Sequence, residues 1–573
     1  MINTTNLLVQ KMNIRQPEGT EAKQSVVVVD SKKTSSTAVA SYLNNLAMIN
    51  TPIVKQADKK PPIDYKNNLK SMFYNQEAHI LAIIPRTFNA KDTNKNEYID
   101  KKEEHGTFLN AIERLDEVKS QGFNTLHILP IHPPGKQKAM GTAGSLYSPK
   151  GFLEIDKNLA DPRDPRSAKE QFKNFVDECH RRDIKVMLDL PSCSSYDMFF
   201  THPKLMAKER DGLAKTPQGW NDIRMFQPFH DESKRTLNPE LLKLHKDYID
   251  MCVDLGVDGI RADVARAKPT EFWDIMIPYS HKRDPEFAWL GENYTYEDAS
   301  PQANMPFDRP ADSLNAGFDS VYGQYHIFHE WNKASEFTDY VVEQLEMSNE
   351  LPKGKSLIGS FATHDDVSAM FHGGADYCNL TMGMQATLPM LNPYIVDGYQ
   401  SGDYYMYPYG NKHNNITQTD NHEMTVHNGR LDIFNFSRKP GGKQPEIGRF
   451  MQQAFEMRSE HQDMISKGSF IVLDKVGDKN DDIIAFARHQ QGKTLLVVAN
   501  KNVNRSIAGV IKVPTLKAEQ DLTNLLPSYG TESILQAADD ELRVDLGAAR
   551  VHVFEIDTPE IEQNSTKVYK QNL

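Results

Sequence analysis

Short apolar runs that end in polar or charged residues recur from about residue 76, separated by amphipathic stretches, and this alternation constrains the fold more than any other feature. The runs are AHILAIIP at 78–85, TLHILP at 125–130, IKVMLDL at 184–190, VDGIRAD at 257–263, FAWLGE at 287–292 and IGSFATH at 358–364. Continuous apolar runs of this length read as strands buried on both faces. Between them, stretches such as 107–121 and 167–182 repeat apolar residues every three or four positions, the period of a helix that buries one face. Alternating strand and helix dictates a parallel sheet. About 350 residues of it, with no Gly-rich phosphate turn opening the first unit, point to a closed (β/α)8 TIM barrel of the α/β class spanning 76–460.

After about residue 460, β-rich runs divided by Gly, Asp and Asn predict a C-terminal antiparallel β-domain over 461–557, followed by a polar tail at 558–573. Residues 1–75, rich in Lys, Ser, Thr, Asn and Gln, read as a weakly ordered N-terminal extension. The third-strand loop carries an insertion at about 191–240.

Composition narrows the function. With 66 Lys and Arg against 78 Asp and Glu, the net charge of −12 repels nucleic acid and anionic membranes, so neither is an expected partner. Four cysteines, at 179, 193, 252 and 378, are too few for a disulfide framework and lack zinc spacing. No basic segment leads into an apolar signal core, and no run of about 18 apolar residues occurs, so a cytoplasmic protein is expected.

Strand ends of a barrel converge on one face, so polar residues there become neighbours. Asp263, Glu292 and Asp365 qualify. Arg261 precedes Asp263 by two residues and so points to the same side of the strand. Its guanidinium suits Asp263 to act as a nucleophile, while the apolar run before Glu292 should raise that carboxyl towards a useful general acid. Two carboxylates with different environments are what glycosidic cleavage requires. Each acid taken singly reads equally well as a solvated strand end; the three together do not.

At these residues the sequence resembles the α-amylase family, glycoside hydrolase family 13, over roughly 78–556. GVDGIRAD at 256–263 is similar to the fourth-strand motif with Arg261 and the nucleophile Asp263. LGE at 290–292 resembles the fifth-strand motif carrying the acid/base Glu292, and FATHD at 361–365 the seventh, whose His364 and Asp365 grip the sugar. Asp189 matches the first acid of the third-strand motif. Softer matches are Arg86-Thr-Phe88 at the first strand end, Tyr147 as an aromatic platform, and 388–400 in the eighth-strand region.

Departures accompany the matches. Asp189 is followed by Leu-Pro-Ser-Cys-Ser instead of the family's Asn-His, which removes one calcium ligand and one sugar contact. Arg266 stands where the family often has Lys-His, so contacts on the leaving-group side differ. The surroundings of Pro130, His202 and Lys268 resemble, loosely, the branch that transfers maltosyl units from maltose 1-phosphate.

The stretch 92–103 sets Asp92, Asn94, Asn96, Tyr98, Asp100 and Glu103 at calcium-loop spacing, although Glu97 stands where the loop wants glycine. A bound Ca2+ is therefore expected there, with a solvated loop as the alternative; no organic cofactor is expected. Tyr399, Tyr404, Tyr405, Tyr407 and Tyr409 are expected to supply sugar contact, with Trp220, Trp289 and Tyr294 as weaker platforms. The expected activity is retaining hydrolysis of α-glucans such as glycogen, starch or maltodextrin. The alternatives are transglycosylation at the same site and non-catalytic sugar binding.

Overall fold

The computed structural model describes residues 63–91, 93, 103–139, 144–217, 220–293, 309–403, 444–526 and 533–573. Most of the expected N-terminal extension and the tyrosines from Tyr404 to Tyr409 lie outside them.

Eight parallel strands close into a barrel in chain order: Ile80–Ile83, Thr125–Ile128, Lys185–Leu190, Gly259–Ala262, Ala288–Gly291, Ser320–Tyr322, Ser356–Gly359 and Leu391–Val396. Closure is made where Ile80 to Ala82 pair with Tyr394 to Val396. Alternation along each strand sorts the side chains. Ile80 and Ala82 point into a compact interior with Met187, Leu290, Ile358 and Tyr394, whereas Leu81, Ile83 and Ile260 point outwards to the helices.

Two boundaries differ from expectation. Leu69–Asn75 is a helix whose Leu69, Met72 and Phe73 are buried in the barrel-interior cluster, so ordered structure begins before residue 76. The polar tail at 558–573 is tied down: Val568–Tyr569 pairs with Ser469–Val472. Gln76 donates to Gln571 at 2.5 Å, and the Asn572 N–H donates to Ser348 at 3.1 Å. Below the barrel, the buried Arg458 of helix Pro445–Glu460 donates to the carbonyls of Gln385, Ala386, Leu388, Gln76 and Leu391.

The third connection carries two short antiparallel ribbons, Cys193–Ser195 with Ile223–Met225 and Phe229–Asp231 with Thr236–Leu237. Beyond the barrel, a five-stranded and a four-stranded antiparallel sheet share an apolar core that includes Ile471, Leu496, Ile511 and Val544. The other face of the five-stranded sheet packs Phe486 and Val497 into the same cluster as Leu380 and Phe450 of the barrel's helical layer. All four cysteines are buried free thiols. Among the described residues, no helix is long and apolar enough to cross a membrane.

Candidate active site

Strand alternation delivers Arg261 to the barrel interior, where it is 1% exposed, and its guanidinium organises the acids. Nη1 donates to Asp189 at 3.0 and 3.1 Å and to Asp263 Oδ1 at 3.0 Å; Nη2 donates to Glu292 Oε2 at 2.7 Å. Asp189 is fully buried, while the side chains of Asp263 and Glu292 keep 12% and 13% exposure, enough for both to meet a ligand.

Glu292 Oε2 also accepts the Val264 N–H at 2.8 Å, which leaves Oε1 to carry a proton. Burial pushes this carboxyl up to about 8; Arg261 opposes the shift, and the charges of Asp263 and Asp365 add to it. Val264 holds a left-handed backbone, φ 35°, an uncommon state for a β-branched residue. The residue whose N–H binds the acid is thus under backbone strain.

A polar chain runs behind the acids. His127 has Nδ1 2.7 Å from the Tyr394 hydroxyl and Nε2 3.2 Å from Asp189 Oδ2, so the tautomer that serves both carries its proton on Nε2. Tyr147 donates to Asp189 Oδ2 at 2.9 Å and lies 2.8 Å from His364 Nε2, which places a proton on that nitrogen too. The His364 Nδ1 is then a bare acceptor, buried and without a partner among the described residues. Burial, reinforced by Arg261, pushes His364 down to about 3 and keeps the ring neutral. Burial would raise Asp189, but Arg261 and His127 outweigh it and hold its carboxyl below the usual range.

Asp365 follows on the seventh connection, its Oδ2 3.6 Å from His364 Nε2. The structure thus gathers Arg261, Asp263, Glu292, Asp189, Tyr147, His364 and Asp365 at one end of the barrel. Arg266, on the turn Ala265–Ala267, makes no hydrogen bond to the acids, and its Nη1 is buried without a partner among the described residues. Tyr294 lies outside the described residues. Arg86 sits on the helical turn Pro85–Phe88 rather than on the strand and donates to the Gly144 carbonyl at 3.2 Å.

Two expected sugar platforms are core residues instead. Trp289 is fully buried, with its indole donating to Ser280, and the Tyr399 hydroxyl donates to the Cys378 carbonyl at 2.7 Å. Trp220 and Tyr147 are both partly buried against the barrel-interior cluster. Of the calcium-loop residues only Glu103 is described, and its Oε1 accepts from the Thr93 backbone and hydroxyl; Asp92, Asn94, Asn96, Tyr98 and Asp100 lie outside. Among the described residues, no group of three or more His, Cys, Asp or Glu could hold a metal ion.

Three polar residues at this end of the barrel had been given no contact with the acids from sequence. His127 is the one ionisable side chain inside TLHILP, a signal that was available. Ser192 donates to Asp263, and the buried Lys268 donates to the Ser192 carbonyl at 3.2 Å. Burial lowers Lys268 to about 8.

No protein-family model matches the chain. In sequence it is similar to an alpha-1,4-glucan:maltose-1-phosphate maltosyltransferase of Cereibacter sphaeroides, 26% identical over 306 residues, covering 50% of this chain and 42% of that protein. A namesake from Bifidobacterium animalis subsp. lactis is 24% identical over 432 residues, covering 70% and 52%. The chain therefore spans about half the length of these relatives. In fold it is similar to a noncanonic maltogenic alpha-amylase from Thermotoga neapolitana, with a TM-score of 0.62, 19% identity and coverage of 85% of this chain and 100% of the other. An alpha-amylase from Lactobacillus plantarum gives 0.61, 18%, 84% and 99%. The chain thus resembles the α-amylase family, in barrel architecture and strand-end motifs, and is similar in sequence to its maltosyltransferase branch.

Proposed function

We propose that this protein is an α-glucan-active retaining enzyme that moves a glycosyl unit from a donor to the hydroxyl of an acceptor glucan. The observation that carries the reading is the single guanidinium of Arg261 binding Asp263 and Glu292 together, with Glu292 pushed upward by burial. One guanidinium that holds both carboxyls fixes them relative to each other, which supports a shared role for them on one sugar.

In the first step Asp263 attacks the anomeric carbon, and the donor's C–O bond breaks as Glu292 passes its proton to the departing oxygen. A glycosyl ester on Asp263 results. In the second step the Glu292 carboxylate, held by Arg261, takes the proton of the incoming hydroxyl, whose oxygen displaces the ester and frees Asp263. His364 and Asp365 supply a neutral ring and a carboxylate for the hydroxyls of the distorted sugar, and Tyr147 supplies an aromatic face.

Transfer is preferred over hydrolysis because the sequence relatives bear transferase names. Hydrolysis, with water as acceptor, is the second reading, favoured by the names of the fold neighbours. Separate incubations with maltoheptaose, glycogen, and maltose 1-phosphate plus a glucan acceptor distinguish them. Longer glucans without matching reducing ends indicate transfer; reducing ends formed in step with cleavage indicate hydrolysis. Inertness towards all three donors, with no fluorosugar ester on Asp263 by mass spectrometry, overturns both.

A further inference from the structure

Apart from the strand-end acids, a cleft of about 360 Å3 opens between the barrel and the C-terminal β-domain. Its barrel wall comes from two connections, one carrying His329, Trp331 and Asn332 and the other His372 and Tyr377; the turn 501–504 and Asp482 face them. The second of these connections also carries His364 and Asp365.

The cleft combines flat rings with uncommitted polar groups. The His329 and His372 rings stack with centroids 3.7 Å apart and an interplanar angle of 15°, forming one slab. Trp331 stands edge-on to Phe328 at 6.0 Å. Neither Asn332 nor Asn504 commits its side-chain amide to a hydrogen bond among the described residues, and both are exposed. Tyr377, 2% exposed, closes the inner wall with the body of its ring.

The charges present are compensated. Arg505 binds Asp482 at 2.8 Å, and the Lys501 ammonium lies 4.8 Å over the Phe328 ring. Burial, with His329 adding, lowers His372 to about 4 and leaves it a neutral hydrogen-bonding ring. Rings and amides with little net charge suit the C–H faces and hydroxyls of an uncharged sugar; they do not suit a phosphate.

We propose that this cleft is a second carbohydrate site, which takes glucose units of an α-glucan chain away from the bond being broken. The ligand class rests on the glucan reading above. Because its walls come from the barrel and the β-domain, a chain seated here anchors a polysaccharide without touching the strand-end acids.

Affinity electrophoresis of the full chain in gels containing glycogen tests the site, alongside kcat/KM on maltoheptaose. Trp331→Ala and Asn504→Ala should each weaken glycogen retardation by about fivefold or more, while kcat/KM on the short substrate stays within about twofold. Asn504→Ala changes an exposed turn residue and so keeps the test independent of folding defects. Retardation equal to wild type in both variants overturns the second site and leaves the glucan reading standing. A loss of retardation that tracks an equal loss on maltoheptaose also overturns it. A wild-type chain neither retarded by glycogen nor active on maltoheptaose overturns the glucan reading, and the cleft's ligand with it.

Discussion

Ser192 holds Asp263 with two hydrogen bonds, its hydroxyl at 2.7 Å and its backbone N–H at 2.8 Å from the same oxygen, Oδ2. Arg261 takes the other oxygen, so the carboxylate is fixed from both ends. Where the family resemblance leads one to expect Asn-His after Asp189, this chain sets a serine on the carboxylate of Asp263. Removing a hydroxyl that donates to a charged group loses about 1.5–3 kcal/mol, so Ser192→Ala should lower kcat by about tenfold to a hundredfold. KM should stay near wild type, and Ser192→Thr should recover part of the loss in steady-state kinetics.

Glu292→Gln keeps the shape of the acid and removes its proton. Turnover of natural glucans should fall by about 10²–10⁴. A maltosyl fluoride donor, whose leaving group needs little protonation, should form the glycosyl ester at a much smaller penalty. Burst kinetics with the two donors check this; equal losses on both would remove Glu292 from the acid role.

The upward shift of Glu292 sets a pH window. A general acid titrating at about 8 must be protonated to work, so kcat/KM should fall as pH rises through about 8. The same shift acts on stability. In the unfolded chain this carboxyl titrates near its ordinary 4.5, so the contribution of its buried neutral form is complete below that pH and is lost as pH rises through about 8. Glu292→Gln, which cannot ionise, should therefore gain melting temperature relative to wild type between pH 5 and pH 9, as read by calorimetry.

Arg458 satisfies five carbonyls under the barrel with no carboxylate to pair with among the described residues. Arg458→Met keeps the apolar stem and strands those carbonyls, so it should destabilise the fold by about 3 kcal/mol or more. Arg458→Lys should rescue little, because an ammonium lacks the planar fork. Denaturant titration measures both.

Val264 adopts a left-handed conformation at a cost of about 1 kcal/mol that asparagine largely avoids. Val264→Asn retains the N–H that binds Glu292 and should raise the melting temperature with little change in kcat. A drop in stability would show that the valine side chain contributes more packing than its backbone costs.

The barrel was legible because its strands are apolar runs of distinctive composition, and Arg261 and Asp263 were legible as a pair because two residues span one full period of a strand. The sixth strand, Ser320–Tyr322, offers only three residues, too few to show a pattern. The helix Leu69–Asn75 buries Leu69, Met72 and Phe73 at helical spacing, but about two turns inside a polar stretch carry little signal. Ser192 was invisible for a different reason: a loop serine has no periodicity, and only the folded third connection brings it to Asp263. Trp289 and Tyr399 misled because an aromatic near a strand end is read as a ligand platform when its ring turns into the core.

The hydrogen bond from Gln76 to Gln571 joins positions almost 500 residues apart on the floor of the barrel, opposite the acids. That contact fastens the C-terminal tail to the start of the first barrel unit, so a module fused after Asn572 would emerge beneath the floor, on the side away from the acids. The exposed hairpin turn around Gln491 and Gly492 is a second point where an insertion should be tolerated.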